Sequence, residues 1–168
     1  DPAYLTRVPR NVTIPSTSAV LVNITPRVGT RPAFRGAFTV ELRTRDLEFV
    51  NNSPLRLFKA PHGQGQFADV TDSLGIGSYR VSGAGGGFSE FLIVNDKRST
   101  QQVIVDKLER LDDQLTALAP QITSPTVLGE LQDLLAAARS FADRRKQTQA
   151  IDTLEALEAA AHQGHLEK

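Results

Sequence analysis

Four glycines in five residues, Gly83-Ala84-Gly85-Gly86-Gly87, stand directly ahead of the apolar run "FSEFLIV" and come closest here to a phosphate-binding loop. A dinucleotide loop requires Gly-x-Gly-x-x-Gly between a strand and a helix, so that the helix N-terminus faces the pyrophosphate. In this chain the third glycine position is Phe88, and the residues after it read as a strand. A P-loop requires Lys-Ser or Lys-Thr behind the glycines, and neither follows. The stretch is therefore expected to be a glycine-rich hairpin joining "SYRVS" to "FSEFLIV", and no cofactor is expected.

The other chemical candidates are also incomplete. His162 and His165 are spaced to share a helical face, but zinc needs a third and usually a fourth ligand, and His62 lies far away in a turn. His62 as a general base has no nucleophile or orienting acid beside it in sequence, and no nucleophile-elbow pattern occurs. Asp69 and Asp72 in "ADVTD" lack the alternating acids of a calcium loop, and Asp72 reads as a turn cap. With no cysteine, thiol catalysis, thiolate metal sites and disulfides are excluded. The expectation is a chain without catalytic or metal-binding residues, not an enzyme.

Arginines are the remaining candidates. Arg27, Arg31 and Arg35 punctuate a loop-like segment, and Arg43 and Arg45 follow at the end of the next strand. If they converge they form a cationic patch for an anionic glycan, an envelope component or an acidic protein surface. The alternative is a solvated rim that keeps strand edges from aggregating. Nucleic acid is disfavoured, because the net charge is zero and no stacking aromatics interleave with the basic residues. No run approaches the roughly 18 apolar residues of a membrane span. The chain lacks methionine and opens on Asp1-Pro2, which is the expectation for a processed product after signal-peptide removal, hence periplasmic or secreted.

The elements that would carry these residues fall into two halves. Residues 1–98 carry 12 Lys and Arg against 8 Asp and Glu, whereas 99–168 carry 7 against 11. Up to Asp96 the apolar period is two, as in "AFTVEL", where Phe38, Val40 and Leu42 share a face. "SAVLVNIT", "DLEFV", "PLRLFK", "QFADV", "SYRVS" and "FSEFLIV" are further short runs separated by Pro and Gly turns. Seven to eight antiparallel strands at such spacing predict a β-sandwich over 1–96. "DSLGIGSYRV" resembles the tyrosine corner of immunoglobulin-like and fibronectin-like domains, with Tyr79 as the corner residue and Val81 in place of the antibody cysteine.

Beyond Asp96 the period becomes helical, so 97–168 is expected to form a helical hairpin or three-helix bundle. Ser99 and Gln102 read as a capping box ahead of the stripe Ile104, Leu108, Leu111, Leu115 and Leu118. Ser124-Pro125 restarts the pattern through Leu128, Leu131, Leu135 and Ala138. A break within 143–149 would leave a third helix containing Ile151, Leu154 and Leu157, capped by Gly164.

The stretch "FSEFLIVNDKRSTQQVIVDKLERLDD", 88–113, resembles the junction in functionally uncharacterised proteobacterial exported proteins, where an immunoglobulin-like sandwich runs into an amphipathic helical hairpin or bundle. That resemblance implies a periplasmic or secreted chain and carries no catalytic residues with it. The function expected is a non-enzymatic binding or interaction module, with sandwich loops binding a ligand and helices packing on the sandwich or recruiting a partner. A carbohydrate- or envelope-polymer-binding accessory domain of a larger enzyme is the alternative.

Overall fold

A computed structural model describes residues 2–16, 21–27, 29 and 38–166. The chain divides into two compact units, Asp1–Arg98 and Ser99–Lys168. Among the described residues the first holds eight strands: β1 (Val12–Thr13), β2 (Leu21–Ile24), β3 (Phe38–Arg43), β4 (Leu55–Pro61), β5 (Ala68–Asp69), β6 (Thr71–Leu74), β7 (Arg80–Gly85) and β8 (Ser89–Asp96). They form two antiparallel sheets, one in the order β1-β8-β4-β5 with β2 also on β8, the other in the order β3-β7-β6.

The two sheets share a core. Val40 and Val81 from the second meet Leu57, Phe91 and Ile93 from the first, with Phe49 sealed among them. Phe49 makes only an isolated bridge to Ser78, so "DLEFV" contributes a buried ring rather than the expected strand. β8 runs through the middle of its sheet and is buried from Ser89 to Val94 on both faces. Its odd residues face the shared core, while Leu92 and Val94 join Val12, Phe58 and Phe67 in a second cluster. The N-terminal 3-10 segment Pro2–Arg7 covers that second face, with Tyr4 and Val8 packed against it. A strand buried on both faces reads as an unbroken apolar run instead of alternating, which explains "FLIV".

The glycine stretch corrects the sequence reading. β7 pairs with β3 and β6, whereas β8 pairs with β1, β2 and β4, so Gly85 to Ser89 crosses between sheets and is not a hairpin turn. The need for glycine is local. Gly87 has φ of 79°, and a Cβ on Gly83 would lie 2.4 Å from the Val70 carbonyl oxygen and 3.1 Å from Leu57 Cδ2. Gly83→Ala is accordingly expected to destabilise the sheet unit by about 1–3 kcal/mol, because rigid backbone would have to move. Urea unfolding followed by tyrosine fluorescence checks this, since Tyr4 and Tyr79 both belong to this unit and the chain has no Trp. A midpoint equal to wild type would show that the close approach is relieved without cost.

Tyr79 is not a tyrosine corner. Its side chain is exposed, and among the described residues its hydroxyl has no hydrogen-bond partner; its carbonyl instead accepts the Thr44 N–H at 2.8 Å. The turn Gly75–Ser78 is closed by Ser78, whose hydroxyl donates to the Gly75 carbonyl at 2.7 Å. "ADVTD" is likewise not one loop. It spans β5 and the start of β6, with Asp69 buried and its carboxylate accepting the Thr71 N–H at 2.9 Å.

The second unit holds three helices, α1 (Thr100–Leu118), α2 (Pro125–Asp143) and α3 (Gln147–Leu166). Ser99 caps α1 by accepting the Gln102 N–H at 3.2 Å. The Gln102 amide donates forward to Asp106 rather than reaching back, so only half of the capping box forms. Ser124 caps α2, and Pro125 occupies its first turn, where a missing N–H costs nothing. The chain does break after Asp143. Arg145 is left-handed with φ of 57°, its N–H bonds the Ala142 carbonyl, and the Lys146 N–H bonds that of Phe141. This is a Schellman ending with arginine where glycine is usual. Gly164 lies inside α3 and does not cap it.

Candidate functional site

Of the five arginines singled out from sequence, Arg27, Arg43 and Arg45 fall on described residues. Arg31 and Arg35 lie outside the described residues. Ile24, three residues before Arg27, pairs with Ser89 at the glycine crossover. Arg43 pairs with Arg80 at the far end of β7, five positions along the register from Phe38–Gly85. Five steps of strand span about 17 Å, so register places the Ile24–Ser89 and Arg43–Arg80 pairs at opposite ends of the sheets. Arg43, Arg45 and Arg80 are exposed at one end, and Arg80 is paired with Glu41 at 3.0 Å. Sequence reading missed Arg80 because its neighbour across the strands is fixed by pairing, not by spacing.

His62 has an orienting acid after all, Glu90, whose Oε1 is 3.4 Å from Nδ1. Glu90 is not available for acid–base work. It is 5% exposed, and its other oxygen accepts from Arg7. Arg7 also donates to the carbonyls of Pro61, Gln64 and Gly65 and lies 4.9 Å over the Phe67 ring. This is a buried lock between the N-terminal segment and the β4–β5 connection. Ser89, the adjacent hydroxyl, is buried and donates to the Gly87 carbonyl. Among the described residues no three His, Cys, Asp or Glu side chains converge to hold a metal. His162, 79% exposed, lies 3.8 Å from Glu158.

The helical unit carries an open concavity between its helices. α2 packs against both α1 and α3, and α1 and α3 make almost no direct contact among the described residues. At the α2–α3 turn, Ala138, Ala142 and Ala150 are small enough for close approach, and the Gln101 side chain donates to the Ala142 carbonyl at 2.8 Å. Toward the other end the residues are larger and the helices leave an open apolar groove of about 820 Å³. Leu111, Leu115 and Leu118 from α1 form one wall, Val127 and Leu131 from α2 the floor, and Leu157 with Ala161 from α3 the other wall. Ile122, in the connection behind the short 3-10 turn Ala119–Gln121, closes the end. Gln114, Gln121, Thr123 and Ser124 supply the polar atoms, and among the described residues no ionisable side chain lines the space.

Leu118 is 50% exposed although it continues the α1 stripe, and α1 has no basic residue in its last turn to offset its carbonyl end. Large apolar side chains exposed along a concave surface characterise binding grooves. The stripe is legible in the sequence, but periodicity cannot show that α1 and α3 make almost no direct contact among the described residues. A second, shallower hollow of about 460 Å³ lies around Asp112, Arg139, Asp143 and Arg144, and Arg139 spans it to Asp112 at 2.7 Å. No helix of the described residues is long and apolar enough to cross a membrane.

Residues 1–165 match the pattern of a family described as a family of unknown function, DUF6689. No curated protein and no solved structure matches the chain.

Proposed function

The chain belongs to that family of unknown function along nearly its whole length, and from this premise we propose that it is a non-enzymatic interaction module whose helical unit binds a partner in the groove between α1 and α3. The observation that carries the reading is the groove itself, about 820 Å³ of open, apolar space with amides and hydroxyls at its edges and, among the described residues, no titrating group in its walls. Such a surface suits holding another apolar surface; proton transfer or nucleophilic attack would need ionisable groups aimed at the reacting atoms.

The sheet unit, in this reading, is an immunoglobulin-sized β-sandwich. Two antiparallel sheets around a common core support that description. Its strand partnering is its own, since immunoglobulin sandwiches keep their last two strands in one sheet and here β7 and β8 lie in different sheets. Export to the periplasm or medium is part of the proposal and rests on the resemblance of residues 88–113 alone. The groove is preferred to the arginine segment as the binding surface because its lining is described, whereas Arg31 and Arg35 lie outside the described residues.

The test is a titration of the 15N-labelled chain with ANS, an anionic dye whose aromatic rings bind apolar surface. Amide shifts are expected at 111–131 and 157–161 and not within 38–98. Shifts centred on the sheet unit, or no shifts at dye concentrations near 1 mM, a range that reports only weak binding of about 4 kcal/mol, would remove the groove from consideration.

A further inference from the structure

An edge strand carries a row of backbone N–H and C=O groups that no neighbouring strand takes up, and that row is a template for pairing with another chain. Most edges described here are short or irregular. β5 has two residues, β1 and β2 divide one side of β8 between them, and β6 is bulged between Thr71 and Ser73. β3 differs: its six residues, "FTVELR", pair with β7 without a bulge and include no Pro, Gly or Lys. Among the described residues no strand pairs with its other side. The outward groups follow from the pairing. The Thr44 N–H donates to the Tyr79 carbonyl, so Thr44, Leu42 and Val40 turn their backbone groups toward β7. Alternation then leaves the N–H and C=O of Thr39, Glu41 and Arg43 facing outward.

We propose that two copies of this chain pair through β3, antiparallel, about a two-fold axis at Leu42. Only registers that set outward residues against outward residues can bond, hence odd-numbered against odd-numbered. Centred on Glu41, the pairing would oppose two carboxylates. Centred on Arg43, it would oppose two guanidinium groups and add them to the Arg43–Arg80 pair already facing each other across β3 and β7. Centred on Leu42, Glu41 of each copy faces the partner's Arg43 in a hydrogen-bonded pair. Opposite charges directly across two strands stabilise the pairing and like charges destabilise it. Glu41 is 54% exposed and reaches Arg80 at 3.0 Å, whereas Arg43 is exposed and has no acidic partner among the described residues. On the inner face half-buried Leu42 meets its twin in a non-hydrogen-bonded pair, where side chains stand closest. Such a two-fold contact is self-complementary and closes at two copies. Val40 to Thr44 on each side is a small patch beside the roughly 20–30 residues of a stable interface, so the dimer forms and dissociates with concentration. It goes beyond the groove reading and does not depend on it.

Sedimentation equilibrium of the whole chain is expected to move from one chain mass toward two as concentration rises to about 1 mM, where weak association registers. Glu41→Arg and Arg43→Glu each set like charges across the axis and are expected to weaken association at least about tenfold. Mixing these two variants should restore it as a mixed dimer, because every pair across the axis is then opposite in sign. The swap Glu41→Arg with Arg43→Glu in one chain should restore it for the same reason. Both positions are exposed, and an exposed ion pair adds little to folding. Amide exchange at Glu41 and Arg43 should also slow as concentration rises, whereas poor folding would speed exchange across the whole sheet unit. A monomer at about 1 mM overturns the inference and leaves the edge to some other extended strand. Association that both single variants retain, or that mixing them does not restore, overturns it as well. So does association removed by Leu118→Ser, which would place the contact in the helical groove. ANS shifts at 111–131 and 157–161 are expected unchanged in Glu41→Arg and Arg43→Glu. Loss of the β3 dimer therefore leaves the groove reading standing, and loss of the ANS shifts leaves the dimer standing.

Discussion

Arg7→Ala is expected to cost the sheet unit about 3–5 kcal/mol, the usual penalty for removing one member of a buried ion pair. The partner left behind is Glu90, 5% exposed in the middle of its sheet, on the β8 face that also presents Leu92 and Val94. Its Oε2 accepts from Arg7, and the same guanidinium donates to three carbonyls of the segment Pro61–Gly65. One side chain therefore neutralises the acid, satisfies loop carbonyls and packs on Phe67. The loss would be read as a lowered urea midpoint by tyrosine fluorescence, which reports on this unit alone because both tyrosines reside in it. Arg7→Met combined with Glu90→Leu should recover most of the loss, since an apolar pair carries no desolvation penalty. A double variant as unstable as the single one would show that the loop carbonyls, and not the buried acid, set the cost.

Asp96→Ala should cost about the same, about 3–5 kcal/mol at neutral pH, for a parallel reason at the other end of the same β8 face. Asp96 accepts the Arg98 backbone N–H at 3.0 Å and its Nε at 2.9 Å on one oxygen, and Nη2 at 2.6 Å on the other. The two side chains are 4% and 7% exposed, and the guanidinium lies 5.3 Å over Phe58. Burial pushes the Asp96 carboxyl up, but the hydrogen bonds and charge of Arg98, with Arg56 nearby, outweigh it and hold the group below its ordinary value of 3.8. A carboxylate depressed in the folded state adds stability that is fully present above its unfolded pKa and disappears as pH falls through the folded one. The gap between wild type and Asp96→Ala should therefore be constant from pH 7 to about 5 and narrow below 3.8. Urea midpoints at pH 7, 5 and 3 measure it. A gap that is widest at pH 3 would contradict the assignment of that stability to the ionised pair.

β8 thus carries an acid near each end, Glu90 and Asp96, and each is met by an arginine lying over a phenylalanine. Nothing in the run "SEFLIVND" shows this. The acids look like ordinary strand-end polar residues, and Arg7 lies 83 positions from Glu90. Arg27, Arg31, Arg35, Arg43 and Arg45 cluster in sequence, and Arg31 and Arg35 lie outside the described residues. Strand register sends the Ile24–Ser89 and Arg43–Arg80 pairs to opposite ends. Clustering along a β chain is a poor guide to clustering in space, since each strand carries its residues about 3.3 Å further per position.

The helical unit was more legible, for the opposite reason. A cap and a 3.6-residue stripe are local, so Ser99, Ser124-Pro125 and the Leu series of α1 and α2 stand where their spacing puts them. The break after Asp143 was readable only as a polar stretch, because its actual device, a left-handed Arg145, uses a residue with no preference for that conformation.

The sequence by itself determined the order of strands and then helices, the ends of α1 and α2, and the absence of cysteine chemistry, because each follows from residues close together along the chain. Tertiary structure alone decided that the glycine run crosses between sheets, that Glu90 is locked by Arg7, and that the α1 stripe stays partly uncovered. Those outcomes depend on which distant segments pair and which helices fail to touch. Backbone pairing and side-chain volume settle them once the whole chain has closed, and no window of neighbouring residues contains that information.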